Sequence, residues 1–184
     1  PQAHAWTLIG QVALAGFFMA LYLRGRGLSP PACLLGAWAF MLNGAFVIWL
    51  EFGFLLGSFL WLPLVFWGLD RIAEGRMPAG AAAVAVGNAA ELLDGMLKFS
   101  VYFVFAALVY AAFVLAPRRG SPIGPPLWRF GAALLATALG IGLSGVQLLP
   151  TLVEVARSSR TEARYAGFNF IPLPALLGYL FGDL

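Results

Sequence analysis

The sequence predicts an all-α protein, a polytopic transmembrane helix bundle of about six spans with a C-terminal extracytoplasmic or interfacial segment. Three observations predict it. Of 184 residues, 61% are hydrophobic and only 10% are charged, where an average soluble domain is about 25% charged. The apolar residues gather in runs close to the ~20 residues that cross a ~30 Å hydrocarbon core at 1.5 Å per residue. The alternating ten-residue segments of a membrane β-barrel are absent.

The runs place spans at Trp6–Leu23, Ala32–Leu50, Phe54–Leu69, Ala79–Leu93, Leu97–Leu115 and Trp128–Leu149. Between Ala32 and Leu69 the only charge is Glu51. As one helix that stretch would be roughly 57 Å long, about twice the membrane, so it folds back at "LEFGF". The stretch from Ala79 to Leu115 folds back at "ELLDGMLK", where Gly95 supplies the flexible residue. Pro63 in "FLWLPLVFW" bends the third span. The small residues of "GAAAVAVGNAA" and "GAALLATALGIGLSG" allow close backbone approach between helices. Most of Trp6, Trp38, Trp49, Trp61, Trp67 and Trp128 stand where interfacial anchors or lipid-facing bulk belong. A last apolar stretch, Ile171–Phe181, is too short and too Pro-rich for a span.

These reversals sort the charges. Seven cations (Arg24, Arg26, Arg71, Arg76, Arg118, Arg119, Arg129) fall on one side and four (Lys98, Arg157, Arg160, Arg164) on the other. The positive-inside rule makes the basic loops 24–31, 70–78 and 116–129 cytoplasmic, in a bacterial inner membrane. Domain organisation follows: a transmembrane bundle over 1–150, then an extracytoplasmic amphipathic or interfacial segment over 151–184. The chain begins at Pro1 and stops in mid-pattern at Leu184, which reads as part of a longer protein. One Cys and one His exclude a disulfide framework and a His- or Cys-cluster metal site. Nothing in the pattern points to nucleic acid, and no inverted repeat points to a transporter.

Charge at membrane depth costs about 2.5–3.5 kcal/mol on insertion scales, so each such residue needs a reason. Three clusters lie on the extracytoplasmic side: Glu51; Glu91 with Asp94 and Lys98; and Glu154 to Arg164. Glu51 reads either as a hydrated turn residue or as a carboxylate at a cavity mouth. Glu91 and Asp94 are three apart, and Asp94–Lys98 has the spacing of a helical surface ion pair. The functional alternative is an acid at a helix break, serving as a base or holding part of a cation shell. Asn43 and Asn88 are amides within spans, and Gln147 lies near the end of one. They either join helices by hydrogen bonds or touch substrate. After Pro150, which marks the membrane exit or opens a fresh turn, "TLVEVARSSR" has the pattern of an amphipathic interfacial helix. Arg157, Arg160 and Arg164 recur at helical spacing and suit a phosphate, in a lipid headgroup or a polyprenyl phosphate.

"WLPLVFWGLDRI", "SGVQLLPTLVEVARSSR" and "FIPLPALLGYLFGDL", taken in order, resemble the bacterial YfhO-like membrane proteins, in the broad GT-C class of polytopic glycosyltransferases. The resemblance covers Trp6 to Leu184. It implies glycosyl transfer from a polyprenyl-phosphate-linked sugar donor at the extracytoplasmic face, often with a divalent cation. It also implies a key acid in the first extracytoplasmic loop, expected to precede Pro1, so no catalytic base is carried over. "WLEFGFL" and "LLDGMLKF" stand where such proteins often carry a turn with His. Glu51, Glu91 and Asp94 are then the candidate base or cation ligands. Arg157, Arg160 and Gln147 are the candidate donor-phosphate contacts, and membrane lipids the surrounding partners. The competing expectation is a non-catalytic accessory subunit of a larger membrane complex, photosynthetic or respiratory.

Overall fold

The computed structural model describes residues 2–50, 54–115 and 127–157. The side chains at positions 54, 55, 97, 98 and 127 are outside that description, as are Glu51, Arg118, Arg119, Arg160, Arg164 and the stretch 171–181. The described residues form helices: α1 (Gln2–Gly25), α2 (Pro30–Met41), α3 (Gly44–Trp49), α4 (Phe54–Phe59), α5 (Leu62–Ala73), α6 (Met77–Leu93), α7 (Leu97–Leu115), α8 (Leu127–Leu143) and α9 (Gly145–Arg157). Among them no strand occurs, and the all-α class expected from composition holds.

The predicted spans appear, some in two pieces. Gln2–Gly25, Pro30–Trp49 and Leu56–Ala73 are long and apolar enough to cross a membrane, while Met77–Leu93 and Phe99–Leu115 are shorter apolar helices. The second span is divided at Asn43. Its side chain accepts from the Phe46 N–H at 3.1 Å and donates to the Phe40 carbonyl, so the amide caps α3. Capping replaces the interhelical role expected for it. The third span is interrupted at Leu60 and Trp61, and Pro63 sits in the first turn of α5, where its missing N–H leaves no bond unmade. The sixth breaks at Ser144 instead of running to Leu149, with a 70° bend between the helices on either side. Ser144 is fully buried and its Oγ donates to the Ile141 carbonyl at 2.8 Å, a back-bond that competes with the helix ladder. Pro150, expected to end the span or open a turn, lies inside α9.

Helix directions follow from which residues meet. Phe18 lies by Trp61 and Tyr22 by Phe66, at ring distances of 5.3 and 5.9 Å, so α1 and α4–α5 run the same way. A Cβ on Gly16 would meet Met41 and one on Gly36 would meet Leu23, so α2 runs against α1. The chain therefore reverses between Trp49 and Leu56. Gly68 faces Gly80, and Gly87 faces Val65, so α6 runs against α5. Phe99 reaches Phe59 at 6.0 Å and Tyr110 stacks on Phe66 at 4.2 Å, so α7 runs with α5 and the chain reverses again at Asp94 and Gly95. Arg129 donates to the Ala73 carbonyl, and Gly140 rests on Ala85 and Asn88, so α8 runs with α6. The six expected passes alternate.

α5 is the hub. One core joins it to α6, α7 and α8 through Val65, Leu69, Val84, Phe103 and Ala133. A second joins α1, α3 and α4 to it through Ala15, Phe18, Phe46, Leu60 and Leu64. The backbones of α5 and α6 touch: a Cβ on Gly68 would stand 2.8 Å from the Gly80 carbonyl oxygen, and one on Gly80 2.7 Å from that of Gly68. This is the close approach expected of small residues, and dispersion between the helices depends on it. Asn88 stays within α6, donating to the Val84 carbonyl at 2.7 Å. Trp6, Trp38, Trp49 and Trp128 are exposed, as lipid-facing residues would be, while Trp61 and Trp67 pack against the second core.

By internal contacts the chain forms two units, Pro1–Leu148 and Leu149–Leu184. The described part of the second is the C-terminal portion of α9. Its Leu152, Val153 and Val155 are exposed alongside Glu154 and Arg157.

Candidate functional site

Alternating passes give the first unit two polar ends. At one end α1, α5, α7 and α8 bring together Arg26, Asp70, Arg71, Glu74, Arg76, Tyr110 and Arg129. Asp70, only 4% exposed, accepts from Tyr110 at 2.9 Å and pairs with Arg26 at 3.3 Å. Tyr110 in turn shares a 3.0 Å hydrogen bond with Tyr22. Arg71 donates to Glu74 at 2.9 Å and to the Gly25 carbonyl at 3.2 Å, with its guanidinium over Trp67. Sequence reasoning assigned 70–78 to a loop. Here α5 continues to Ala73 and α6 begins at Met77, so only Glu74, Gly75 and Arg76 connect them. Asp70 and Arg71 are buried helix residues because the carboxylate meets cationic and hydroxyl partners from two other helices. Tyr22 and Tyr110, hydroxyls in otherwise apolar spans, were the available signal.

The opposite end holds the acids singled out from the sequence. Glu91 lies in the last turn of α6 and is 1% exposed. Its Oε1 accepts from the Ser100 hydroxyl of α7 at 2.7 Å, and its Oε2 has no partner among the described residues. Asp94 follows at the C-cap of α6, in the turn where Gly95 takes φ +81°. Its Oδ2 accepts from the buried Ser58 hydroxyl of α4 at 2.8 Å. The fit depends on Gly57: a Cβ there would stand 2.8 Å from the Asp94 carboxyl carbon. Burial raises the Asp94 carboxyl above its ordinary 3.8, and the Ser58 hydrogen bond opposes the shift. Asp94 therefore binds a proton more readily than a free aspartate, as a general base acting nearer neutrality must.

Gln147, in the first turn of α9, belongs to the same unit and the same end. Its Nε2 would lie 3.4 Å from a Cβ on Gly95. Gln147, grouped in the sequence with Arg157 and Arg160, adjoins the Asp94 turn. Arg157 is exposed at the end of α9, in the second unit, and Arg160 lies outside the described residues, as does Glu51. The ion pair expected between Asp94 and Lys98 involves a side chain that is also outside them. Ser58 and Ser100 were missed in the sequence, because a lone Ser in an apolar run is ordinary. Their signal was position, within about two helical turns of a predicted reversal.

Among the described residues no three His, Cys, Asp or Glu side chains gather. Glu91 and Asp94 would supply part of a cation's oxygen shell, the remainder falling to water and substrate phosphate.

Residues 1–84 match the model of a family described as bacterial membrane protein YfhO, over α1 to the middle of α6. Over those residues the match bears out the resemblance to YfhO-like proteins seen in the sequence, and with the apolar helices it makes this a helical membrane protein. It ends before Glu91, Asp94, Gln147 and Arg157. No curated protein and no solved structure matches the chain.

Proposed function

We propose that this membrane protein transfers a sugar from a polyprenyl-phosphate-linked donor at the extracytoplasmic face of a bacterial inner membrane. In this reading the arginine-rich end is cytoplasmic and the Glu91–Asp94 end faces outward. The observation that carries it is the seating of two carboxylates at one helix reversal, with Ser58, Ser100 and Gln147 around them. A carboxylate buried at the end of a membrane helix is costly, and ionisable residues in such places mark function by default.

Asp94 is the base. It takes the proton of the acceptor hydroxyl while that oxygen bonds to the anomeric carbon. The bond from that carbon to the donor phosphate oxygen breaks, and the polyprenyl phosphate leaves with the electron pair. Ser58 holds the carboxylate in place and Glu91 supports the turn from α6. Arg157 and Arg160, in the second unit, are the proposed contacts of the donor's phosphate group, a task suited to the planar guanidinium.

The test is donor turnover by the full-length protein in liposomes, with Asp94→Asn and, separately, Arg157→Ala with Arg160→Ala. Loss of a general base lowers turnover by about 10²–10⁴-fold. Wild-type turnover in a folded Asp94→Asn protein would dismiss the assignment, and unchanged turnover in the arginine variant would remove those residues from the mechanism.

A second reading is an accessory subunit of a larger membrane assembly. It is favoured by the flank of α1 and α2, which is little buried and exposes Trp6, Phe17, Leu35 and Trp38. Under this reading the protein co-purifies with a partner that shields Trp38 from lipid-soluble quenchers, and Asp94→Asn leaves the assembly intact.

A further inference from the structure

A cavity of about 230 Å³ opens among α5, α6, α7 and α8. Val65, Val84 and Ala133 form its buried floor, and Leu108 and Leu134, 53% and 61% exposed, stand at its mouth. The mouth lies between α7 and α8 on a surface of exposed Phe105, Leu135 and Phe113, where the bundle meets lipid. Its lining is almost wholly apolar, so water has few hydrogen-bonding partners there and is a poor occupant. A void in contact with the bilayer forfeits dispersion on every wall, and the surrounding medium that can fill it is hydrocarbon.

Charge stands beside the cavity's lining rather than in it. Its lining runs from Asn88 and Thr137, past the middles of α6 and α8, to Leu69 and Phe130 toward the arginine-rich end. Phe130 adjoins Arg129. The Arg129 guanidinium donates to the Ala73 carbonyl and lies by Trp128, its Nε has no partner, and among the described residues no carboxylate pairs with it. Small side chains, Ala107, Ala111 and Ala133, leave room for a chain between that cation and the membrane centre.

We infer that this cavity is a binding site for a diacyl phospholipid of the leaflet at the arginine-rich end, with one acyl chain between α7 and α8 and its phosphate on Arg129. The site is at the opposite end from Asp94 and does not depend on the chemistry there. Its chemistry, a phosphate head on a hydrocarbon chain, is shared by polyprenyl phosphates; the diacyl lipid is chosen because it is the bulk constituent with which the cavity mouth is in contact.

Native mass spectrometry of the full-length protein, extracted in mild detergent, reads the occupant directly. The expected result is one retained diacyl phospholipid, displaced in Ala111→Leu and reduced about tenfold in Arg129→Ala, the loss of one charge-assisted hydrogen bond. Because a filled cavity can also misfold the bundle, a second measurement uses the wild type. Phosphatidylglycerol with a photoactivatable acyl chain, in nanodiscs, should label 104–112 and 130–137, and unlabelled lipid should compete it away. Labelling spread evenly onto α1 and α2, equal retention in folded Ala111→Leu, or recovery of an isoprenoid lipid in place of a diacyl one would each overturn the assignment.

Discussion

At the scale of single residues, the structure depends on polar groups that find partners across helices. Tyr110 gives its hydroxyl to Asp70 at 2.9 Å, and Tyr110→Phe would leave that carboxylate to Arg26 alone. Loss of a hydrogen bond to a charged group costs about 1.5–3 kcal/mol, and a lower midpoint of denaturant unfolding in detergent checks it. Asn43→Ala should cost about 1 kcal/mol, as a lost N-cap does, and should lower helicity without altering turnover. Asp94 gives a pH dependence. Its folded carboxyl lies above 3.8 because burial disfavours the charged form. The stability it contributes is therefore present below that value and is lost as pH rises through the raised one. Asp94→Asn cannot ionise, so its unfolding temperature relative to wild type should climb as pH rises above about 4. A difference that shrinks over that range would mean that the carboxylate is stabilised as an anion.

At the scale of elements, the sequence shows the spans through apolar run length, but shows their breaks less well. Pro63 was legible because a proline within an apolar run must bend it or begin a helix, and it begins α5. Pro150 misled. It lies inside α9, and the break falls six residues earlier, where buried Ser144, bonded back to Ile141 and followed by Gly145, interrupts the ladder. The Asp70–Tyr110 bond was not legible, since hydropathy sends every charge to a loop and cannot show a partner 40 residues away. Glu91 and Asp94 were legible as an acidic corner, yet their serine partners were not, because only the folded chain brings α4 and α7 to them. Close packing gives the prediction at this scale. Gly68→Ala or Gly80→Ala places a methyl against a backbone carbonyl and should destabilise the bundle by about 1–3 kcal/mol, while Gly10→Ala, with open space around it, should not. Thermal unfolding of the three variants in one detergent compares them.

At the scale of the whole molecule, six alternating passes sort chemistry by end. Arginines tie α1, α5 and α8 together at one end, and the acids, serines and Gln147 gather where the chain reverses at the other. A hydrophobic bundle could be built without that sorting. The sorting is what gives the outward-facing reading a site and the phosphate of a lipid its counter-charge at the far end. Cysteine accessibility in whole cells tests it most directly, with Leu93→Cys and Arg76→Cys introduced separately into the full-length protein after Cys33→Ala. A membrane-impermeant maleimide should label Leu93→Cys in intact cells and Arg76→Cys only after permeabilisation. Labelling of both from the same side, or of Arg76→Cys alone in intact cells, would contradict the account.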